Sequence, residues 1–198
     1  MLRVSEKERS AVSLSTAEVS ALLEVPERRV RKEIEHGLLP SPPRIDFEAA
    51  VYLWVVNSLT DLEPSVEWRR SLLKSIRNHL VHSSVSSIPK EMDVVQGVLS
   101  LHLRSMVEEV WNRVSSFSRW CDRRVASEPS ILGGEPIFRG TRLPVRWLGE
   151  GAERQGGPKE FLEDYPYLKP EDIEFARRFA RAYPRVGRPR EPAKAPAR

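Results

Sequence analysis

Apolar residues recur along most of the chain at intervals of three and four positions, which is the spacing of one face of an α-helix. The clearest example is residues 64–82, where one stripe carries Trp68, Leu72, Ile76 and Leu80. Four cations lie off this stripe: Arg69, Arg70, Lys74 and Arg77. The pattern predicts an amphipathic helix with its apolar stripe buried.

A second long helix is predicted over residues 104–121. Its expected buried face is Leu103, Met106, Val107, Val110, Val114, Phe117 and Cys121. Just before it, Leu99, Leu101 and Leu103 alternate with polar residues, which predicts a half-buried strand. Residues 83–90 are expected to form a loop, and residues 1–13, which lack a period, a frayed arm. The fold class predicted is mainly α with short β-hairpins.

Two short helices with a tight joint are predicted near the N-terminus. Ser15 and Glu18 have capping-box spacing, a hydroxyl at the N-cap and a glutamate three residues later. The expected buried face of the first helix is Val19, Leu22 and Leu23. Pro26 interrupts it but suits the first position of a second helix, which runs to His36 and stops at Gly37. Helices joined so closely cross steeply, as in a helix-turn-helix.

The second helix displays four cations within five residues: Arg28, Arg29, Arg31 and Lys32. Val30 and Ile34 form its expected apolar underside. Such a helix can enter the major groove and place guanidinium groups against phosphates and guanine edges. These four cations are therefore candidate DNA contacts. The same spacing also fits an αα-hairpin with a solvated charged face, where acids partly offset the cations: Glu27, Glu33 and Glu35.

Residues 38–45, with three prolines and Arg44, are predicted to form a wing, and Arg44 is a further candidate DNA contact. Asp46 would cap a third, apolar helix. Over about 45 residues this segment resembles the N-terminal winged helix of MerR-type regulators. It departs from that family at Glu24, where glycine is usual in the turn, so Glu24 must take a less comfortable backbone conformation.

Charge and composition limit the cellular compartments and the binding partners that the sequence predicts. The net charge is +4, but residues 184–198 alone hold five cations against one acid, so the remaining chain is close to neutral. Any DNA contact must therefore come from local charge. This tail is expected to be disordered. The single cysteine, the lack of a secretory leader and the absence of any apolar run near the roughly 20 residues of a membrane span predict a cytoplasmic, nucleoid-associated protein.

The chain offers little sign of enzyme chemistry. Its four histidines are scattered, and only His79 and His82 have a spacing that could suit a metal, without a third ligand type beside them. Cys121 is expected to be a buried thiol. No phosphate-binding loop, dinucleotide fingerprint or nucleophile elbow occurs. We therefore expect no catalytic residues, no metal and no cofactor.

Residues 130–145 are the most informative stretch of the chain. Gly133-Gly134 and Arg139-Gly140 predict turns around a short apolar strand, Ile137-Phe138. Pro144 would open the first of three helices, predicted at 145–155, 158–165 and 170–183. In the last helix, the expected buried face is Ile173, Ala176, Ala180 and Tyr183, with Glu171 and Asp172 complementing the helix dipole. Glycines at 149 and 151 should weaken the first of these helices.

The sequence GGEPIFRGTRLPV, followed by FLEDYPYLKPEDIEFARRFA, resembles a prokaryotic domain with a homeodomain-like trihelical core. The resemblance covers residues 123–183. It implies an antitoxin of a VapBC-like module, whose toxin is a PIN-type ribonuclease. Arg139 and Arg142 would either brace the hairpin or reach the toxin's carboxylates. Arg185 and Arg188 in the tail are further candidate toxin contacts. The chain departs from the family at Lys169, where a threonine N-cap is usual.

The predicted organisation has four parts. These are a winged helix-turn-helix at 1–62, a helical dimerisation segment at 63–122, a homeodomain-like trihelical domain at 123–183 and a basic tail at 184–198. The resulting expectation is an antitoxin that neutralises a PIN-like toxin and represses its own operon at a palindromic operator, as a homodimer or a hetero-oligomer with the toxin. The alternatives are a stand-alone helix-turn-helix regulator and an interaction module that never contacts DNA.

Overall fold

The computed structural model describes residues 6–41, 44–59, 62, 64–80, 88–95, 99–154 and 158–184. The N-terminal helices are α1 (Glu6–Ser10), α2 (Thr16–Leu23), α3 (Glu27–Glu35), α4 (Phe47–Ser58) and α5 (Val66–Leu80). The middle holds β1 (Met92–Val95), β2 (Leu99–Leu101) and α6 (Leu103–Arg124). The C-terminal part holds β3 (Val125–Ala126), β4 (Ile137–Phe138), α7 (Val145–Arg154), α8 (Pro158–Asp164) and α9 (Pro170–Ala182). The mainly α fold with short antiparallel hairpins is confirmed.

Local signals position the helix-turn-helix as the sequence predicts. The Ser15 hydroxyl accepts the Glu18 N–H at 3.2 Å, and the Glu18 carboxylate accepts the Ser15 N–H at 2.8 Å. Glu24 takes the left-handed conformation expected of the turn, with φ of 57°. Helix α3 ends at Glu35, and just beyond its C-cap Gly37 has φ of 67° and donates to the Ile34 carbonyl, while Leu38 donates to the Glu33 carbonyl. This is the Schellman arrangement, and it fixes where the chain leaves α3.

Helix α4 is buried on all sides and forms the centre of the N-terminal half. Its N-cap is Asp46, whose carboxylate accepts the Ala49 N–H at 2.7 Å as predicted. Helices α5 and α6 both pack against it. The N-terminal segment contains a helix, α1, which begins at Glu6. The buried Arg9 side chain of this helix donates to the Leu80 carbonyl at 3.2 Å. The expectation of a frayed arm is therefore wrong for residues 6–13.

The C-terminal part folds against α6 and α2. Strands β3 and β4 pair antiparallel, with Val125 opposite Phe138. Helix α9 packs against both α7 and α2. Aromatic rings fill the junction with α6, where Trp120 stacks on Phe175 at a centroid distance of 5.3 Å and meets Phe138 edge-on at 6.0 Å. Packing therefore links the C-terminal helices directly to the helix-turn-helix.

Several burial predictions are wrong in an instructive way. Ile34, Met106 and Cys121 are half-buried rather than buried, and Tyr183 is 38% exposed. Trp120 takes the place expected for Cys121, and Phe179 takes that of Tyr183. Trp120 buries more apolar area than a cysteine would, and Phe179 has no hydroxyl that needs a hydrogen-bond partner in the interior. Four buried charged residues among those described were not foreseen: Arg9, Glu33, Arg69 and Asp172.

Gly149 has a packing role in addition to the effect on helix stability that the sequence predicts. A Cβ built there would overlap the backbone carbonyl oxygen of Ala176 and approach the Ala180 side chain to 2.9 Å. Gly151 has a softer neighbour, the end of the Phe161 ring at 2.9 Å. The close crossing of α7 and α9 therefore depends on glycine at position 149.

We predict that Gly149→Ala lowers the free energy of unfolding by about 1–3 kcal/mol, because backbone must move to admit the methyl group. Gly151→Ala should cost less, since the Phe161 ring can shift and alanine favours the helix by up to about 1 kcal/mol. Urea unfolding followed by circular dichroism compares the two. Equal or greater stability of Gly149→Ala would show that the crossing does not need glycine.

Candidate nucleic-acid interface

The outward face of α3 carries most of the cations predicted to contact DNA. Arg28, Arg31 and Lys32 are exposed, and they share this face with Glu27 and Glu35. The helical spacing explains the arrangement, because Val30 is fully buried on the opposite side. Three cations against two acids leave the face with a small positive excess.

The cations on this face differ in whether they are paired with other residues of the protein. Arg31 pairs with Glu27 at 3.1 Å, one turn away, with both side chains largely exposed. Such surface pairs contribute little and exchange readily for other partners. Arg28 and Lys32 make no ion pair within the part of the chain that the structure describes. Arg29, by contrast, is half-buried and has interactions of its own, which separates it from the other three predicted contacts.

Arg44, the candidate DNA contact predicted in the wing, is exposed. The described part of the predicted wing is a loop whose base is pinned by Leu14 and Ile45, each N–H donating to the other's carbonyl at 2.9 Å. This bridge joins the loop to the segment that leads into α2. Arg44 is therefore held beside the helix-turn-helix, while Pro42 and Pro43 lie outside the described residues.

The underside of α3 holds a buried ion pair that the sequence reasoning missed. Glu33, fully buried, accepts the Tyr52 hydroxyl of α4 at 2.8 Å and pairs with Arg69 of α5. The second terminal nitrogen of Arg69 lies 2.9 Å from His36 Nδ1, at the end of α3. Burial, followed by the nearby Glu33 carboxylate, raises the pKa of Tyr52 well above its usual range, so the hydroxyl stays a donor.

These residues correct two predictions. Glu33 is buried and does not offset the surface cations, and Arg69 lies on the buried side of its helix. The sequence carries a signal for this, because Glu33 follows Val30 by three positions and Arg69 precedes Leu72 by three.

The arginines proposed to contact a toxin have different environments. The Arg139 guanidinium donates to the carbonyls of Asp122, Arg123 and Val125 at 2.9, 3.2 and 2.9 Å. It therefore braces the end of α6 against the hairpin, the first of the two roles predicted for it. Arg142 is exposed and makes no hydrogen bond or ion pair with any described residue. Arg185, Arg188 and the rest of the predicted disordered tail lie outside the described residues, as does His82.

Asp172 is buried, although it was predicted only to complement the helix dipole. Its carboxylate accepts two hydrogen bonds from the Arg124 guanidinium, at 2.9 and 2.6 Å, and one from Trp120 Nε1 at 2.9 Å. It also accepts the N–H of Lys169, the N-cap residue, at 2.9 Å, which is the contact that the third residue of a helix makes in a capping box. Burial alone would raise the pKa of Asp172, but these hydrogen bonds hold it below its usual value.

One further hydrogen bond connects the C-terminal helices to the helix-turn-helix. The Tyr183 hydroxyl, just beyond α9, donates to Glu18 at 2.7 Å. The other Glu18 oxygen is the one that caps α2. Burial and the Glu18 carboxylate raise the pKa of Tyr183, which keeps its proton in place. A single carboxylate thus serves both the start of α2 and the end of α9.

Metal-ligand clusters and a reactive thiol were the remaining candidates for chemistry among the described residues. Within the described ranges, no group of three or more His, Cys, Asp or Glu side chains is placed to hold a metal ion. Burial raises the pKa of the half-buried Cys121 thiol to about 12, which leaves it protonated and a poor nucleophile near neutral pH. None of the described helices is both long and apolar enough to cross a membrane.

We predict that Asp172→Asn destabilises the protein by roughly 3 kcal/mol at neutral pH, because the charge-assisted hydrogen bonds of Arg124 and Trp120 are weakened. Since the pKa of Asp172 is lowered by folding, its stabilisation is present above its ordinary value of 3.8 and is lost as the pH falls below it. Urea unfolding between pH 7 and pH 2 should therefore show a shallower acid loss for the variant.

The matched control is Glu171→Gln, which changes an exposed acid of the same helical turn. It should leave the acid profile close to that of the parent protein. A parent and an Asp172→Asn variant with parallel profiles below pH 4 would contradict the role given to this carboxylate.

Comparisons with known proteins bear mainly on the C-terminal part. Residues 125–180 match the model of a family described as a protein of unknown function, DUF433. An uncharacterized protein, y4eO, of Sinorhizobium fredii (strain NBRC 101917 / NGR234) is 41% identical over 66 residues, which cover 33% of this chain and 30% of that protein. The chain thus aligns with less than a third of that relative's length. No solved structure matches the chain. The comparisons therefore show similarity to the DUF433 family over residues 125–180, which are less than a third of the chain.

Proposed function

We propose that this protein is a DNA-binding regulator that uses α3 as its recognition helix. The observation that carries the proposal is the outward face of α3, where Arg28, Arg31 and Lys32 are exposed while Val30 and Glu33 are buried beneath them. A helix held by its underside and cationic on its outer face has the form that major-groove binding requires.

The chemistry of recognition follows from the types of side chain. An arginine can donate two hydrogen bonds to the O6 and N7 atoms of guanine, whereas lysine neutralises phosphates as a point charge. Arg31 would exchange its exposed pair with Glu27 for DNA at little cost. Arg44, beside the Leu14–Ile45 bridge, would reach the neighbouring backbone. Two copies of α3 in a homodimer would match a palindromic operator.

We expect the triple variant Arg28→Ala, Arg31→Ala and Lys32→Ala to bind duplex DNA roughly 100-fold more weakly at about 0.1 M salt, because fewer phosphates are neutralised. The slope of log K against log salt should become less steep by about 0.9 for each phosphate that the variant no longer neutralises. A mobility-shift titration of a mixed-sequence 30-base-pair duplex at several salt concentrations measures both.

A control variant removes the same charge from another surface. It carries Arg70→Ala, Lys74→Ala and Arg119→Ala, three exposed cations of α5 and α6. Its DNA affinity and salt slope should stay near those of the parent. Equal loss in both triple variants would mean that net charge, and not α3, governs binding. Absence of binding by the parent would overturn the proposed function and favour an interaction module.

We further propose that the protein is the antitoxin of a VapBC-like module and represses its own operon in the cytoplasm. This part is supported by the resemblance of residues 123–183 to an antitoxin domain and by the exposed Arg142, which pairs with no described residue on that part of the chain. An arginine of this kind can enter a carboxylate cluster such as the metal site of a PIN-type nuclease and displace the cation there. The alternative is a stand-alone regulator, which needs no adjacent toxin gene.

We expect Arg142→Ala to weaken inhibition of the nuclease encoded by the adjacent reading frame without changing the melting temperature. Arg139→Ala should instead lower stability by about 0.5–1.5 kcal/mol, because the carbonyls of Asp122, Arg123 and Val125 exchange its guanidinium for water. An RNA-cleavage assay and thermal unfolding separate these effects. If both variants inhibit fully, the arginine contact is wrong. If no PIN-type frame adjoins the gene, the stand-alone regulator is favoured.

A further inference from the structure

The recognition helix has a narrow apolar underside. Of the side chains of α3, only Val30 and Glu33 are fully buried, and Ile34 is half-buried. A nine-residue helix held by one valine could roll or tilt with little loss of apolar burial. Its angle must therefore be set by something more directional, and the second buried side chain, Glu33, is a charged one.

Three helices meet at Glu33. Its carboxylate binds the Tyr52 hydroxyl from α4 and the Arg69 guanidinium from α5, and all three side chains are buried. Arg69 also reaches His36, so it contacts α3 at two points one turn apart. Two contacts from one planar, rigid group fix the rotation of α3 about its own axis as well as its distance from α5.

Buried ion pairs are poor sources of net stability, because the cost of removing both charges from water offsets most of their attraction. Their hydrogen bonds are directional, however, and a displaced partner would leave a buried charge unpaired. A pair of this kind therefore penalises every orientation of α3 except one. Base recognition needs that property, since bidentate contacts to base edges fail when the donor is displaced, whereas phosphate contacts tolerate movement.

We propose that Arg69, through its buried pair with Glu33, is a positioning residue that sets the sequence discrimination of α3 and not its general affinity for DNA. This inference rests on the DNA-binding function proposed above. Arg69 lies beneath α3 and is 4% exposed, so its effect on DNA is exerted through the helix that it holds.

The test replaces the whole network by apolar side chains of similar size, in the variant Glu33→Leu, Tyr52→Phe and Arg69→Met. Because no charge or hydroxyl is left unpaired, cooperative urea unfolding should persist at a midpoint similar to that of the parent. Two probes are used: a duplex selected from a random-sequence library by the parent protein, and a mixed-sequence duplex of the same length. The dissociation constant of the mixed duplex divided by that of the selected duplex should fall roughly tenfold. Binding of the mixed duplex itself should be unchanged.

Two further variants keep the test sharp. Arg69→Lys retains the charge but cannot span Glu33 and His36 together, so it should also lower the ratio. Arg70→Met, an exposed cation at the next position, should leave it unchanged. A parental ratio in the apolar variant and in Arg69→Lys would overturn the positioning role while leaving DNA binding intact. A parent that binds neither duplex would overturn the proposed function itself.

Discussion

The burial of α4 on every side is the constraint on which the N-terminal half depends. Eight of its twelve residues are buried, so it cannot lie at the surface as the other helices do. Helices α5 and α6 pack around it, and the helix-turn-helix is built on the same core. Because α4 supplies this core without buried polar side chains other than Tyr52, the angle of each surrounding helix must be fixed by contacts of its own.

Two buried carboxylates fix those angles by the same device. Glu33 binds an aromatic hydroxyl and an arginine from neighbouring helices, and Asp172 binds an indole N–H and an arginine in the same way. One lies beneath α3 and the other at the start of α9. In both, the aromatic residue adds apolar packing while its polar atom satisfies the charge, so the desolvation cost is met locally. The helix that could meet DNA and the helix of the family-matched region are thus held by equivalent contacts.

The sequence predicted most elements but few of the interactions between them. Ser15, Asp46 and Gly37 set their caps through local chemistry, and that information lies within four residues of each site. The Glu33–Arg69 pair joins positions 36 residues apart, and no local rule connects them. Spacing did place both on buried faces, but charged side chains are seldom buried unless paired, and the partner is invisible from one helix alone. Gly149 shows the same limit. Helix propensity describes one helix by itself and contains no information about the α9 backbone that packs against Gly149.

The interactions at the site also divide into local ones, which the sequence predicts, and distant ones, which it does not. Glu18 takes part in both kinds. Its capping role is local and was predicted correctly, yet its second oxygen holds Tyr183, which is 165 residues away. The carboxylate cannot move toward one partner without changing its geometry to the other. Separation of α9 from α2 would therefore remove the Tyr183 hydrogen bond and leave Glu18 free to move away from the Ser15 N–H that it caps. The start of α2 and the end of α9 are coupled because they share a single charged group, the Glu18 carboxylate.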